Sequence, residues 1–360
     1  MIFKRIAIYL GKSVLIGLIM AVIILVLNQI INENNSISNL SIFQGNGNSE
    51  LSFAKAVRRS APAVVNIYSL SINQNEPLHS GSLQGLGSGV IMSSEGYVLT
   101  NYHVIKQADE IVVALQDGRK FTSEMVGSDP ETDLAVIKIV GDNLPVSPIN
   151  LNHSPQVGDI VLAIGNPYNL GQTITQGIIS ATGRNGLSSG YQDFLQTDAA
   201  INAGNSGGAL IDTNGALIGI NTAAFQVGNE TSGNGINFAI PIKLAHSIMG
   251  KLIKDGRVIR GALGISGEAI RPVMAQILNL PDLNGVLVTA IEPNGPADHA
   301  GIQPSDVIIK YDNEVVPDIE MLMDRIAETK PKTKAILTLI RKGKIQKIKV
   351  VIAEKSAKYS

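Results

Sequence analysis

Three short segments carry residue types that could act together on a carbonyl carbon. Gly96-Tyr97-Val98-Leu99-Thr100-Asn101-Tyr102-His103-Val104 reads as a strand running into a turn that ends in histidine. Thr132-Asp133-Leu134-Ala135-Val136-Ile137 places an aspartate at the mouth of a buried strand, and Gly204-Asn205-Ser206-Gly207-Gly208-Ala209-Leu210 places a serine in a glycine-rich loop entering another. A hydroxyl is a weak nucleophile, so a neighbouring imidazole must take its proton during attack. Histidine titrates near neutrality and can later return that proton to a leaving amine. A carboxylate on the far ring nitrogen fixes the tautomer. The oxyanion needs fixed donors, worth about 2.7–4 kcal/mol each, which the Gly204 and Ser206 amides can supply if the loop bends tightly.

Alone, His103 could be structural, Asp133 a turn cap, and Gly-Asn-Ser-Gly-Gly a tight loop. Together they stand in the order His, Asp, Ser, separated by 30 and then 73 residues, each at a strand mouth. This is the chain order of the chymotrypsin-type double barrel. The serine segment also satisfies G-x-S-x-G, the elbow of α/β-hydrolases, which takes its acid and base from beyond the serine. The candidate bases there are His246, in an amphipathic helix, and His299, in a later domain, and Ala209–Ile220 reads as a hairpin around Asp212–Gly215 instead of strand–turn–helix. That context argues against the elbow. His79 and His153 sit in polar loops.

Composition agrees with a folded, β-rich chain. Of 360 residues 44% are hydrophobic and 16% charged, with 36 glycines and only 4% aromatics. A net charge of −1 gives no case for nucleic-acid binding. The absence of cysteine removes disulfides, thiolate metal sites and cysteine nucleophiles together. No His, Asp and Glu cluster has metal-ligand spacing and no glycine loop carries the lysine of a phosphate cradle, so neither metal nor cofactor is expected.

The positioning elements follow from the pattern. Lys4, Arg5 and Lys12 precede an apolar run from Ser13 to Leu27, extended by Ile30 and Ile31. Its length suits a transmembrane anchor over residues 1–31, and a cleaved signal peptide is the rival reading. The cations would hold the N-terminus in the cytoplasm and send the remainder across. Asn-, Ser- and Gly-rich residues 32–50 read as a flexible tether. A short helix is expected at Leu51–Ser60, stopped by Pro62. Strands are expected at Ala63–Tyr68, Gly87–Met92, Tyr97–Thr100, Ile111–Leu115, Leu134–Ile139, Ile160–Ile164, Gly177–Ala181, Ala216–Asn221 and Gly235–Ala239. Their spacing, without long helices between them, indicates antiparallel barrels. Pro241–Asp255 is a helix ended by Gly256. The spacing thus predicts one domain over 51–257 and a smaller α+β domain over 258–355, with strands at Val286–Ile291, Ala335–Ile340 and Ile345–Ile352, a helical turn at Ala297–Ala300 and a helix at Ile319–Glu328.

With these segments in view, the sequence resembles the HtrA (Do-like) serine proteases after the tether. The matching stretches are Gly87–Val90, Thr100–Val104, Asp133–Val136, Ala163–Pro167, Leu195–Ala199 and Gly204–Leu210. The resemblance implies an all-β double six-stranded, chymotrypsin-like protease domain with one C-terminal PDZ domain, the latter marked by Gly295–Ile302 and Asp306–Ile308. Carried over by position, His103 is the general base, Asp133 its orienting acid and Ser206 the nucleophile, with the oxyanion hole on the Gly204, Asn205 and Ser206 backbone. The carboxylate loop of the PDZ groove falls on Gly261, Ala262, Leu263, Gly264 and Ile265, although many relatives carry tyrosine in place of Ala262. Arg184 aligns with a residue that relays activation from the PDZ side. One PDZ domain, an anchor and a modest loop between Ser71 and Gly87 resemble the membrane-anchored, regulatory type. That type implies a homotrimer joined near Leu51–Pro62, on the periplasmic face of the bacterial inner membrane. It implies activation by C-terminal peptides of misfolded outer-membrane proteins, and cleavage of a membrane-bound anti-sigma factor to start a stress response. Two alternatives are a general protease and chaperone for unfolded envelope proteins, and a PDZ peptide sensor or scaffold with an inactive barrel.

Overall fold

The computed structural model describes residues 17–26, 52–72, 81–166, 171–184, 194–202, 204–222, 235–278, 280 and 282–355. It divides into two compact units, Met1–Ser52 and Phe53–Ser360. In the first unit, residues 17–26 form helix α1. The rest of the expected anchor and the expected tether lie outside the described residues. Among those described, no helix is long and apolar enough to cross a membrane.

The second unit opens with α2 (Ala54–Ser60), which tightens into a 3₁₀ turn at Ala61–Ala63. Pro62 sits inside that turn, where a missing N–H is harmless, so the helix is tightened before it stops. The next strands are β1 (Val64–Ile72), β2 (Gly81–Ile91), β3 (Tyr97–Asn101), β4 (Glu110–Ala114), β5 (Lys120–Thr122), β6 (Glu124–Asp129) and β7 (Leu134–Lys138), with helical turn α3 (Tyr102–Ile105) after β3. They form one antiparallel sheet in the order β5-β4-β1-β2-β3-β7-β6. This corrects the expectation of six strands here. The seventh is three-residue β5, which the turn at Asp117–Gly118 folds back onto β4.

The second group is β8 (Ile160–Gly165), β9 (Thr173–Arg184), β10 (Phe194–Thr197), β11 (Ala209–Asp212), β12 (Leu217–Thr222) and β13 (Asn237–Pro241). These close a six-stranded barrel in the order β10-β13-β12-β11-β8-β9. Strand alternation splits their side chains between two cores. Val161, Ala163 and Leu210 fill the barrel interior. Their neighbours Leu162, Ile164, Ala209 and Ile211 instead join Val64, Val90, Leu99 and Leu134 of the first sheet in a shared core. Helix α4 (Ile242–Asp255) seals that core with Ile242, Ala245, Ile248, Met249 and Leu252, the face its periodicity foretells. Gly256 ends it in a left-handed conformation, its N–H bonded to the Leu252 carbonyl.

Beyond α4, β14 (Gly261–Ala262) leads into β15 (Ile265–Ala269), α5 (Pro272–Ile277), β16 (Val286–Ile291), α6 (Pro296–His299), β17 (Val307–Tyr311), β18 (Glu314–Val315), α7 (Ile319–Glu328), β19 (Lys334–Arg341), β20 (Lys344–Val351) and β21 (Ala353–Glu354). The main sheet runs β15-β16-β17-β19-β20, and β14 pairs with β21. Leu263, Val288, Ile308, Leu322, Ile326 and Leu337 form its core. Asp318 caps α7 by accepting the Met321 N–H at 2.8 Å.

An ion cluster with a largely buried centre, Arg260 and Asp129, joins this part to the first sheet. Arg260 forks onto Asp129 at 2.8 and 2.7 Å, and Glu131 lies 3.4 Å from Arg260 Nε and 2.9 Å from Lys355. Burial works against the charge on Arg260, but the Asp129 bond and the nearby carboxylates outweigh it and hold the guanidinium above its ordinary pKa.

Candidate active site

Sheet register brings the first two candidate residues together. β3 pairs with β7 so that Asn101 lies opposite Leu134. Asp133 immediately precedes Leu134 and His103 follows Asn101 by two residues, so both emerge at one end of the sheet. Asp133 holds a left-handed backbone, φ 52°, which aspartate tolerates better than most residues. The Asn101 side chain and the Tyr102 N–H both donate to its carbonyl, at 2.9 and 3.0 Å.

The Asp133 carboxylate is 6% exposed at residue level and closely held. Oδ1 accepts the His103 backbone N–H at 2.9 Å, and Oδ2 lies 2.7 Å from His103 Nδ1. The Thr222 hydroxyl donates to the same Oδ2 at 3.2 Å. With the carboxylate as acceptor, a neutral ring carries its proton on Nδ1 and offers Nε2 as a base. The His103 side chain is 30% exposed and the Asp133 side chain 9%, so the ring reaches solvent far more than its partner does.

The serine loop comes from the other barrel. Ser206 is 3% exposed, in the turn that feeds β11. Ser88, in β2 and fully buried, ties this loop to the first sheet. Its N–H donates to the Ser206 carbonyl at 2.8 Å and its hydroxyl to the Gly204 carbonyl at 2.7 Å. The Asn166 N–H donates back to that hydroxyl at 3.1 Å, and the Thr100 hydroxyl donates to the Ser88 carbonyl at 2.7 Å. Gly207, φ 80°, must be glycine: a Cβ there would stand 2.1 Å from the Ser88 carbonyl oxygen and 3.1 Å from the Asn101 nitrogen. The loop backbone is thereby pressed against the strand end that leads to His103. From the far side, Gly207 donates to the Asn221 carbonyl and Asn221 to the Gly208 carbonyl, both at 2.9 Å. The next residue is Thr222, on Asp133.

Gly204 adopts φ 100°, which glycine alone holds without strain. Of the three residues expected to form the oxyanion hole, Asn205 has its N–H committed to the Asn202 carbonyl at 2.9 Å. The candidate donors are therefore the Gly204 and Ser206 amides. Ser88 and Thr222 are the contributors that residue-type reasoning misses. Ser88 lies in a quoted stretch, but a small hydroxyl between glycines gives no sign that it bridges two barrels.

In the C-terminal part, Gly261 approaches the end of α7 so closely that a Cβ would meet the Ile326 carbonyl oxygen at 2.2 Å. Leu263 is buried, and its carbonyl accepts from Ala297 at 2.9 Å. Gly264, φ 72°, turns the chain and accepts from Glu292 at 2.9 Å, and Ile265 opens β15. In the main sheet β15 is an edge strand with β16 its one neighbour among the described residues. α7 runs beside it, with Ile319 Cδ1 3.6 Å from where a Gly267 Cβ would stand. Arg184 ends β9 opposite Phe194. Its side chain lies outside the described residues.

A histidine–aspartate pair at one end of a β-sheet, with a glycine-bounded serine loop from a six-stranded barrel tied to that sheet through Ser88, is the arrangement expected of a trypsin-like serine peptidase. The trypsin-like peptidase domain family matches residues 87–220, and the PDZ domain family matches 261–352. Serine endoprotease DegS of Escherichia coli strain K12 is 50% identical over 346 residues, covering 95% of this chain and 97% of that protein. DegS of Haemophilus influenzae is 50% identical over 312 residues, covering 84% and 88%. The crystal structure of the serine endoprotease from Yersinia pestis superposes with a TM-score of 0.71 at 50% identity, covering 85% of this chain and 98% of that one. HtrA-type protease AlgW with tripeptide gives 0.78 at 46% identity, with the same coverage. The chain belongs to the HtrA family of serine proteases and is a serine endopeptidase of the DegS kind.

Proposed function

We propose that His103, Asp133 and Ser206 form the catalytic triad of a peptide-regulated endopeptidase. The observation that carries this is the 2.7 Å contact between His103 Nδ1 and Asp133 Oδ2, with the serine loop tied to the same strand end through Ser88. In this reading Ser206 Oγ attacks the scissile carbonyl while His103 Nε2 takes its proton. Asp133 holds the ring and stabilises the imidazolium. The Gly204 and Ser206 amides stabilise the oxyanion, and His103 then returns the proton to the leaving amine. Water repeats the cycle on the acyl-enzyme.

The protease domain is taken as 51–257 and the PDZ domain as 258–355. The free edge of β15, beside α7 and behind the Gly261–Ile265 turn, supports binding of a C-terminal peptide as an added strand, its carboxylate on the turn's backbone. In this reading the peptide comes from misfolded outer-membrane proteins, Arg184 relays its binding to the serine loop, and the substrate is a membrane-bound anti-sigma factor. The kinship with DegS supports a periplasmic site of action at the inner membrane, with residues 1–31 as anchor. It also supports a trimer through the segment near Leu51–Pro62, where Val57, Ala61, Pro62, Leu115 and Pro145 line a groove of about 440 Å³.

The test is fluorophosphonate labelling of Ser206 with and without a hydrophobic C-terminal peptide, alongside cleavage of an unfolded protein. Peptide-accelerated labelling and cleavage are expected. Labelling indifferent to peptide would leave a constitutive protease, and no labelling in either state would leave a scaffold.

A further inference from the structure

We propose that the outer face of β19 and β20 docks on a bilayer bearing anionic phospholipid. From Lys330 to Lys355 the chain carries nine lysines and arginines against one carboxylate, Glu354, a local charge of +8 in a chain whose total is −1. Arg341 pairs with Asp306 and Lys355 with Glu131, while the other seven cations have no ion-pair partner among the described residues. The carboxylate of Asp312, beside β19, accepts the Ile336 N–H at 2.8 Å.

Register sorts these residues. β19 and β20 pair with Lys334 opposite Val351 and Ile336 opposite Lys349, and Lys347 shares the face of Lys349. Along β20, exposed Ile345 at 69% and Val351 at 51% flank Lys347 and Lys349. Lys334 and Ile336, the latter 38% exposed, stand beside them on β19, whose next two residues on this face, Thr338 and Ile340, are buried. Lysine on an edge strand also discourages strand pairing. That role needs neither Lys334, on the interior strand β19, nor three exposed aliphatic groups among the cations. A surface of lysines that attract phosphate, with aliphatic groups that enter the headgroup boundary, suits an interface with lipid. Nucleic-acid surfaces instead favour arginine and stacking aromatics, and these six positions hold neither. The face is separate from the groove between β15 and α7, and the proposal does not require the N-terminal span.

The chain has no cysteine, so Ile345→Cys in the full chain provides one labelling site. A fluorophore there would be read against vesicles containing a lipid-borne quencher, made of phosphatidylcholine alone or with about one-third phosphatidylglycerol. Quenching is expected in the anionic vesicles alone, and to fade at about 1 M salt, where the screening length is about 3 Å. The added variant K334Q/K347Q/K349Q is expected to lower the phosphatidylglycerol-dependent partition about 100-fold, roughly fivefold per lysine, with proteolysis unchanged. Equal quenching in neutral vesicles, or in the triple variant, would overturn the proposal. A label that soluble polyglutamate or RNA shields but anionic vesicles do not quench would overturn it as well.

Discussion

The catalytic cleft and the C-terminal groove are both built from backbone at strand ends, but they are finished to different degrees. Around Asp133 and Ser206 the chain supplies its own partners: both carboxylate oxygens are bonded, and the Gly204, Ser206 and Ser88 carbonyls each accept a donor from elsewhere in the fold. At β15 one side of the strand is bonded to β16 and the other has no paired strand among the described residues. Chemistry that must be ready before substrate arrives is set by intramolecular bonds in buried surroundings, where they are strong. Recognition that must respond to a signal is left for the ligand to complete.

The comparison can be broken most severely at the cleft. Ser206→Ala is expected to lower kcat by about 10⁶-fold, the scale of nucleophile loss in serine proteases, with unchanged thermal unfolding. Asp133→Asn keeps the shape but favours the wrong histidine tautomer, and a fall of about 10⁴-fold in kcat is expected. Ser88→Ala leaves the Gly204 carbonyl without its buried donor. Losing roughly 1–3 kcal/mol at that position predicts a fall of about 10- to 100-fold in kcat with KM nearly constant, and recovery in Ser88→Thr. At the groove, Met323→Asp places a charge on the exposed side of α7, one turn from Ile319. A loss of about tenfold in peptide affinity is expected by calorimetry, with basal cleavage unchanged. A basal rate that falls with Met323→Asp would erase the distinction between the two regions.

The parts of this design that repeat with a regular period are legible in the chain. The buried face of α4, from Ile242 to Leu252, and the strands that bring His103 and Asp133 to one sheet end follow from alternation and spacing. What escapes is what lacks a period. Three-residue β5 and four-residue α3 are too short to show one. β9 runs from Thr173 to Arg184 and not from Gly177, because Gly177 is no strand start: it sits mid-strand where a Cβ would meet the Ala199 nitrogen at 2.2 Å. The last barrel strand lies at Asn237–Pro241, two residues beyond its expected Gly235 start, since proline can end a strand as well as precede a helix. The links made by Ser88, Thr222 and Arg260 join segments far apart in the chain, and no local signal announces them.

The chemistry proposed for the cleft rests on the imidazole at 103 drawing the proton from the hydroxyl at 206. Mass-spectrometric mapping of a fluorophosphonate adduct, in the native chain and in His103→Ala, tests this with least inference. The account predicts one modified serine, Ser206, and loss of the adduct in the variant. An adduct at another serine, or equal modification of Ser206 without the imidazole, would contradict it.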